Sequence, residues 1–188
     1  GENLFRATGQ RAPLQDYGTI RQPKLSMVYT PMENLNVYAN WGRTFQVLTG
    51  SGAPAYLTPG QTRFAPSINT GKELGVKFKP AHRTDLRLAV WRQDATDEVA
   101  NMPATGTTVG LGETRREGVD FQLSGHVGDT LELWVSHSLQ KAEVTRAFAA
   151  DGTSLAGKEV FSTPRHISNA GLEYRAGDAW RFGLQGRA

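Results

Sequence analysis

Cysteine is absent from all 188 residues. That excludes a disulfide scaffold, a thiol nucleophile and a thiolate-held zinc or iron–sulfur centre. Long apolar runs are missing too. The longest are four residues, Leu88 to Trp91 and Ala147 to Ala150, against the ~18 that a transmembrane helix needs. A transmembrane β-barrel stays open, because its strands show only alternation. Charge of one sign is also lacking: 21 Lys and Arg face 18 Asp and Glu, a formal balance of +3. The cations are scattered among acids rather than gathered on one run, so nucleic acid is not an expected partner. Hydrophobic content is low at 38%. No signal-peptide pattern stands at the N-terminus, and Gly1 reads as a cut within a longer chain.

What is present is a period of two, with almost no helical pattern. Leu35, Val37, Ala39 and Trp41 alternate with Asn36, Tyr38, Asn40 and Gly42. The same alternation recurs at Leu25–Tyr29, Leu74–Phe78, Leu86–Val90, Val119–Leu123, Leu131–Val135, Ala170–Tyr174 and Trp180–Leu184. In one strand Arg92 and Asp94 follow Leu86, Leu88 and Val90 on the apolar parity. Either a bulge or the strand's emergence from the apolar layer accounts for that.

Connections alternate in length. Short turns are predicted at Pro31–Asn34, Lys79–Asp85, Val127–Thr130 and Ala176–Ala179, and long Gly/Thr/Pro-rich loops at about 46–67, 98–113 and 147–160. The repeated unit is a β-hairpin, and about eight strands are expected. Short turns at one end, long loops at the other and apolar-out, polar-in strands define an antiparallel up-and-down transmembrane barrel. A strand of about 11 residues spans roughly 36 Å, and tilted by about 45° it crosses an apolar band of roughly 25 Å. A soluble all-β binding domain also alternates, but its strands run to about 5–6 residues, shorter than several here. A small standalone barrel or adhesin-like protein is the other alternative. Against closure at eight strands, the final strand begins near Trp180 and stops at Ala188 with no closing aromatic.

Several motifs together resemble the barrel of TonB-dependent outer-membrane receptors of the siderophore type. They are Pro23-Lys24-Leu25-Ser26 followed by Leu35 to Phe45 with its Gly42-Arg43-Thr44-Phe45 end, Lys72-Glu73-Leu74-Gly75-Val76-Lys77, Thr114-Arg115-Arg116-Glu117-Gly118-Val119-Asp120, and Pro164-Arg165-His166. The resemblance runs from about Gln22 to Ala188. It implies a partial barrel domain over 1–188, from the C-terminal half of a 22-stranded barrel, with the plug domain and final strands absent. At about 24 residues per strand, 22 strands need roughly 520 residues. It further implies a bacterial outer-membrane transporter, not an enzyme, without a cofactor. Its expected partners are a ferric siderophore or another scarce nutrient, the TonB complex through the missing N-terminal part, and outer-membrane lipid and lipopolysaccharide.

Loop aromatics and cations suit an anionic, aromatic cargo. The candidates are Tyr56, Arg63 and Phe64 in the first long loop, then Met102, Arg146, Phe148 and Phe161. The plainer expectation for each is loop packing or contact with lipopolysaccharide. Glu113, Arg115, Arg116 and Glu117 read either as a site for lipopolysaccharide phosphates or as a salt-bridged rim. Asp94, Asp97 and Glu98 offer hard oxygen ligands but no glycine-containing calcium loop, so a solvated strand end is expected and no metal site. The four histidines show no close ligand spacing, and Ser136 and Ser138 fall on the face opposite His137. Gly110-Leu111-Gly112-Glu113 lacks the third glycine and the helix of a nucleotide loop. Trp41, Tyr29, Tyr174, Trp180 and Phe182 are placed in interfacial aromatic girdles.

Overall fold

Alternating sequences form strands because successive side chains point to opposite faces, so one face can be apolar while the other stays polar. The computed structural model describes residues 2–5, 10–13, 17–47, 65–102, 107–149 and 151–188, with side chains over 17–47, 65–100, 110–149 and 151–188. The described residues form ten strands: β1 Glu2–Phe5, β2 Gln10–Pro13, β3 Lys24–Met32, β4 Leu35–Gln46, β5 Ser67–Phe78, β6 Thr84–Met102, β7 Thr107–Val127, β8 Leu131–Arg146, β9 His166–Ala176 and β10 Trp180–Arg187. β1 and β2 pair with each other. β3 to β10 form one eight-stranded antiparallel meander, each strand beside its sequence neighbour. The β1–β2 hairpin was not expected, since four residues per strand carry too little alternation to read.

The four short turns stand where predicted. Two share a sequence and a geometry: Gly128-Asp129 and Gly177-Asp178 each put the glycine at positive φ, 62° and 66°. Only glycine adopts that region without strain, and the twist it imposes suits a hairpin. Arg83 in one turn reaches Asp129 in the next at 3.1 Å.

The expected long loop over 98–113 is corrected. β6 and β7 continue as a paired hairpin to Met102 and Thr107, with register shifts after Ala95 and at Glu98. Asp97 stands at φ 51° there. The ambiguity at Arg92 and Asp94 is also settled. The pairing runs without a shift from Leu86↔Leu123 to Ala95↔Thr114, so both residues stay on the apolar parity, and the strand has left the apolar layer.

Cross-strand register collects that parity into rows. One row reads Ala39, Leu74, Val90, Val119, Leu139; the next reads Val37, Val76, Leu88, Phe121. This outward face carries large exposed hydrophobics on every strand, from Leu25, Met27 and Tyr29 to Tyr174, Phe182 and Leu184. Toward the long-loop end the same face turns charged: Lys72, Arg92, Glu117 and Lys141 form one row. An apolar band ending in a charged row is the profile of a wall facing lipid, with the long loops on the outer side. Trp41 stands at the upper border. Trp180 stacks on Phe182 at 6.3 Å near the short-turn end.

The opposite face repeats one packing device. Aromatic rings lie flat on glycines of the following strand: Tyr38 over Gly75, Trp91 over Gly118 and Trp134 over Gly171, where an added Cβ would stand 2.4, 2.9 and 2.6 Å from the ring. The glycines give the rings a flat seat, the relation that rescues glycine in sheets. At Gly118 the Cβ would also meet the Leu139 carbonyl oxygen at 2.6 Å. Gly118→Ala is therefore expected to cost about 1–3 kcal/mol by overpacking. Gly71→Ala, with nothing within 4 Å, should be nearly neutral. Urea unfolding of the two variants in bilayers makes the comparison, and equal midpoints would refute the seat.

Candidate functional site

The inward wall is polar, and many of its groups satisfy one another, while Trp91 Nε1 and Ser67 Oγ are buried without a partner among the described residues. Arg87 donates from Nε to the Tyr38 hydroxyl at 2.9 Å and from Nη2 to Glu73 at 3.0 Å. Lys77 and Arg87 both lie near the Tyr38 ring, 5.5 and 5.7 Å from its centroid. Gln93 donates to Asn69 at 2.7 Å, Asn169 to Ser136 at 3.3 Å, and Ser138 to Asp120. Alternation fixes this placement: each of these residues has the parity opposite to Val37, Val76, Leu88 and Phe121. Between β3 and β7 the wall holds a recess of about 490 Å³ lined by Asn40, Asn69, Gln93, Glu73, Asp120 and Trp91, with Gly42 and Gly71 side by side.

At the outer mouth, β6 and β7 rise past the charged row, and the segment after β8 folds back on them. Val144 donates its N–H to Lys158, Val160 to Ala142 and Leu155 to Ala147. Leu111, Ala142, Val144 and Val160 form a small buried cluster, with Ala100, Ala147, Leu155 and Phe161 packed against it. Beside it Arg116 holds Glu98 through two nitrogens at 2.8 and 2.7 Å, and Thr114 donates to the same carboxylate. Burial opposes the charge on Glu98, but the guanidinium and hydroxyl hydrogen bonds outweigh it and hold the carboxyl below its usual range. At the tip Thr153 donates its backbone N–H to Asp151, and Ala149 donates to Thr153. This small turn presents Phe148 to solvent, 67% exposed.

The predicted site residues separate. Tyr56, Arg63 and Phe64 lie outside the described residues, and of Met102 only the backbone, at the end of β6, is described. Arg146 reaches Glu113 at 3.4 Å, Phe148 is exposed at the tip, and Phe161 packs on the mouth cluster. The four-residue charged cluster is not one site. Arg115 faces outward to Asp94 at 2.9 Å, Arg116 faces inward to Glu98, and Glu113 pairs with Arg146. Asp94 and Glu98 are likewise on opposite faces, and among the described residues no group of three His, Asp or Glu side chains could hold a metal ion. His137 does meet a serine, from the next strand: its Nδ1 is 2.8 Å from Ser168 Oγ. That pair lies on the outward face, and its one described ring neighbour is His166 at 5.7 Å, so it lacks the orienting carboxylate of a triad. Sequence reasoning missed the Tyr38–Glu73–Arg87 group, although Tyr38 and Glu73 shared the inward parity.

An open antiparallel meander with a lipid-facing apolar band, a hydrogen-bonded polar inner wall and elaborated outer loops defines part of an outer-membrane β-barrel. Residues 4–188 match the family model described as TonB dependent receptor-like, beta-barrel, and the chain belongs to that family, whose members are outer-membrane receptors and transporters rather than enzymes. It is 24% identical over 168 residues to the metal-pseudopaline receptor CntO of Pseudomonas aeruginosa, an alignment covering 88% of this chain and 22% of that protein. The chain thus spans about a fifth of the length of the curated relatives it matches. Among solved structures, the ferripyoverdine receptor of the Pseudomonas aeruginosa outer membrane superposes with a TM-score of 0.64 at 15% identity, covering 95% of this chain and 22% of that one. The ferric yersiniabactin uptake receptor FyuA of Yersinia pestis gives 0.62 at 18% identity, covering 87% and 24%.

Proposed function

We propose that this chain is part of the barrel of a TonB-dependent transporter that takes up a ferric siderophore or a similar metal–metallophore complex. The carrying observation is the family match over residues 4–188. The names of the relatives support the cargo class: a metal-pseudopaline receptor, a ferripyoverdine receptor and a ferric yersiniabactin uptake receptor. The sheet is a partial barrel domain. β3 and β10 lie at opposite ends of its strand order, so further strands would close it, and a plug with its TonB-contacting segment would come from outside this chain. The cargo-facing candidates are Tyr56, Arg63, Phe64, Met102, Arg146, Phe148 and Phe161. Phe148 is the one whose described surroundings leave a large aromatic face free, and aromatic faces recognise aromatic chelators at low entropic cost.

The test is uptake of isotope-labelled metal chelates by cells carrying or lacking the native receptor, with and without a working TonB complex. Loss of uptake of one chelate class, by about tenfold or more, in both the receptor-deficient and the TonB-deficient cells is expected. Unchanged uptake of every chelate would overturn the cargo reading. Phe148→Ala should weaken uptake of the same class while leaving receptor abundance unchanged.

A further inference from the structure

Glycine weakens the interior of a strand, and where it stands there it marks a bulge, a bend or the close approach of a ligand or another backbone. Gly75, Gly118 and Gly171 are accounted for by the aromatic rings seated on them. Gly42 and Gly71 are not. They stand directly opposite each other across the β4–β5 pair, on the inward face. Lys24 on β3 and Gln93 on β6 continue their row on either side, so neither glycine lies at a sheet edge. The β4–β5 register is unbroken from Leu35↔Phe78 to Gln46↔Ser67, and the β5–β6 register from Phe78↔Leu86 to Ile68↔Thr96. Neither glycine has a positive φ. A Cβ on Gly71 would meet nothing within 4 Å, and one on Gly42 would make only ordinary contacts with Lys24 and Pro23, the nearest at 3.4 Å. Backbone conformation and packing within the sheet therefore require neither glycine.

The two form the floor of the recess of about 490 Å³, a volume typical of small-molecule pockets. The recess stands at the height of the charged row that ends the apolar band, since Gly71 adjoins Lys72. It therefore lies toward the outer mouth, where a solute arrives from outside. Its acids are engaged, Glu73 by Arg87 and Asp120 by Ser138. Lys24, exposed beside Gly42, has no ion pair or side-chain hydrogen bond among the described residues. Gln93 donates to Asn69 Oδ1, which leaves the Asn69 amide hydrogens and the Gln93 carbonyl oxygen open to a further partner. The Trp91 ring already lies on Gly118.

We propose that the Gly42–Gly71 recess is a cargo subsite for an aliphatic, carboxylate-bearing arm of the metal chelate. The proposal rests on the transporter reading above and names the chemistry of the cargo. The carboxylate meets Lys24, the one uncompensated charge of the recess, and amide or hydroxyl groups of the arm meet Asn69 and Gln93. The missing side chains at Gly42 and Gly71 let the arm lie against the wall. An aromatic chelating ring finds no free aromatic face here on which to stack.

Uptake kinetics in cells carrying the whole receptor test it, with labelled ferric citrate and nickel–nitrilotriacetate as carboxylate chelates and ferric enterobactin as an aromatic one. Wild type should take up at least one carboxylate chelate. Gly71→Phe fills the recess and should raise KM for that chelate roughly tenfold, with maximal rate, receptor abundance and urea midpoint unchanged. Lys24→Gln should raise the same KM roughly tenfold, the loss of one charge-assisted hydrogen bond, and Lys24→Arg should recover most of it. Lys24 is exposed, so its variants read the subsite even where Gly71→Phe fails to insert. Wild-type KM in both Gly71→Phe and Lys24→Gln, or uptake of ferric enterobactin alone, would overturn the proposal. So would a lowered urea midpoint in Gly71→Phe with wild-type KM in Lys24→Gln, which would mean that a polypeptide segment rests on the glycines. Uptake of none of the probes by wild type would remove the cargo reading together with the subsite, whereas uptake that the variants leave unchanged removes the subsite alone.

Discussion

Val76→Arg is expected to destabilise the barrel by about 2–4 kcal/mol, the cost of placing arginine near the bilayer midplane on the lipid face. Val76 sits between Val37 on β4 and Leu88 on β6, with Leu74 and Phe78 above and below it on its own strand. A guanidinium there has no acid within its row, and the nearest outward charges, Lys72 and Arg92, repel it. Snorkelling would have to carry the charge past Leu74 to the charged row. Gln122→Arg makes the same chemical change on the neighbouring wall. Gln122 pairs with Arg87 and Ser136, exposed on the inward face, where water solvates the new charge. Its cost should stay within about 1 kcal/mol, the scale of a solvated cross-strand pair, because the new charge stands opposite Arg87. Urea titration of the receptor in phospholipid bilayers reads both variants. Equal losses would mean that the two faces are wrongly assigned, and the lipid-facing band with them.

That assignment was legible in the sequence because a period of two leaves only one choice per strand. Knowing that Leu35, Val37 and Ala39 point one way puts Tyr38 the other way, and the pairing of β4 with β5 then aligns whole rows. Parity alone could not say whether Arg92 and Asp94 bulge or emerge. Both give the same letters, and only unbroken pairing to Ala95↔Thr114 distinguishes them. The segment around 98–113 read as a loop from its glycines and threonines. Its residues 98–102 and 107–113 are strand because a hairpin above the membrane needs cross-strand pairing, not an apolar face, and Thr107, Thr108 and Val109 are β-branched residues that favour it. The charged run Glu113 to Glu117 read as one cluster because its members are adjacent. Adjacency in a strand means opposition in space, so Arg115 and Arg116 serve different walls. Tyr38 over Gly75 and Trp134 over Gly171 are contacts between distant residues, and only the register brings them together.

The same limit hid the Glu98–Arg116 pair, which carries the last large prediction. The two are 18 residues apart, and the register shifts between Ala95 and Glu98 move Glu98 off simple parity. Arg116 and Glu98 are each about one-fifth exposed, at 21% and 19%, and the pair stands above the membrane among Thr114 and the mouth cluster. Glu98→Ala leaves the Arg116 charge half-enclosed and removes the acceptor of the Thr114 hydroxyl. Hydrogen bonds to charged groups contribute roughly 1.5–3 kcal/mol, and breaking a buried pair by removing one partner lies at the upper end or beyond. The residual exposure sets the expected loss at about 2 kcal/mol, confined to the β6–β7 extension and the segment folded on it. Backbone amides of residues 110–116 and 142–146 should exchange with solvent roughly 30-fold faster, while those of β3 to β5 stay unchanged. Acid should act in the same way. The Glu98 carboxyl is held below its unfolded value, so its contribution is complete above the ordinary glutamate range near pH 4.3. It is lost as pH falls through the lower folded value. Wild type should therefore lose more protection in this extension on acidification than Glu98→Ala, in which the Asp94–Arg115 and Glu143–Lys141 pairs remain to be protonated. An identical acid response in the two proteins would mean that the Glu98–Arg116 pair does not hold the outer mouth.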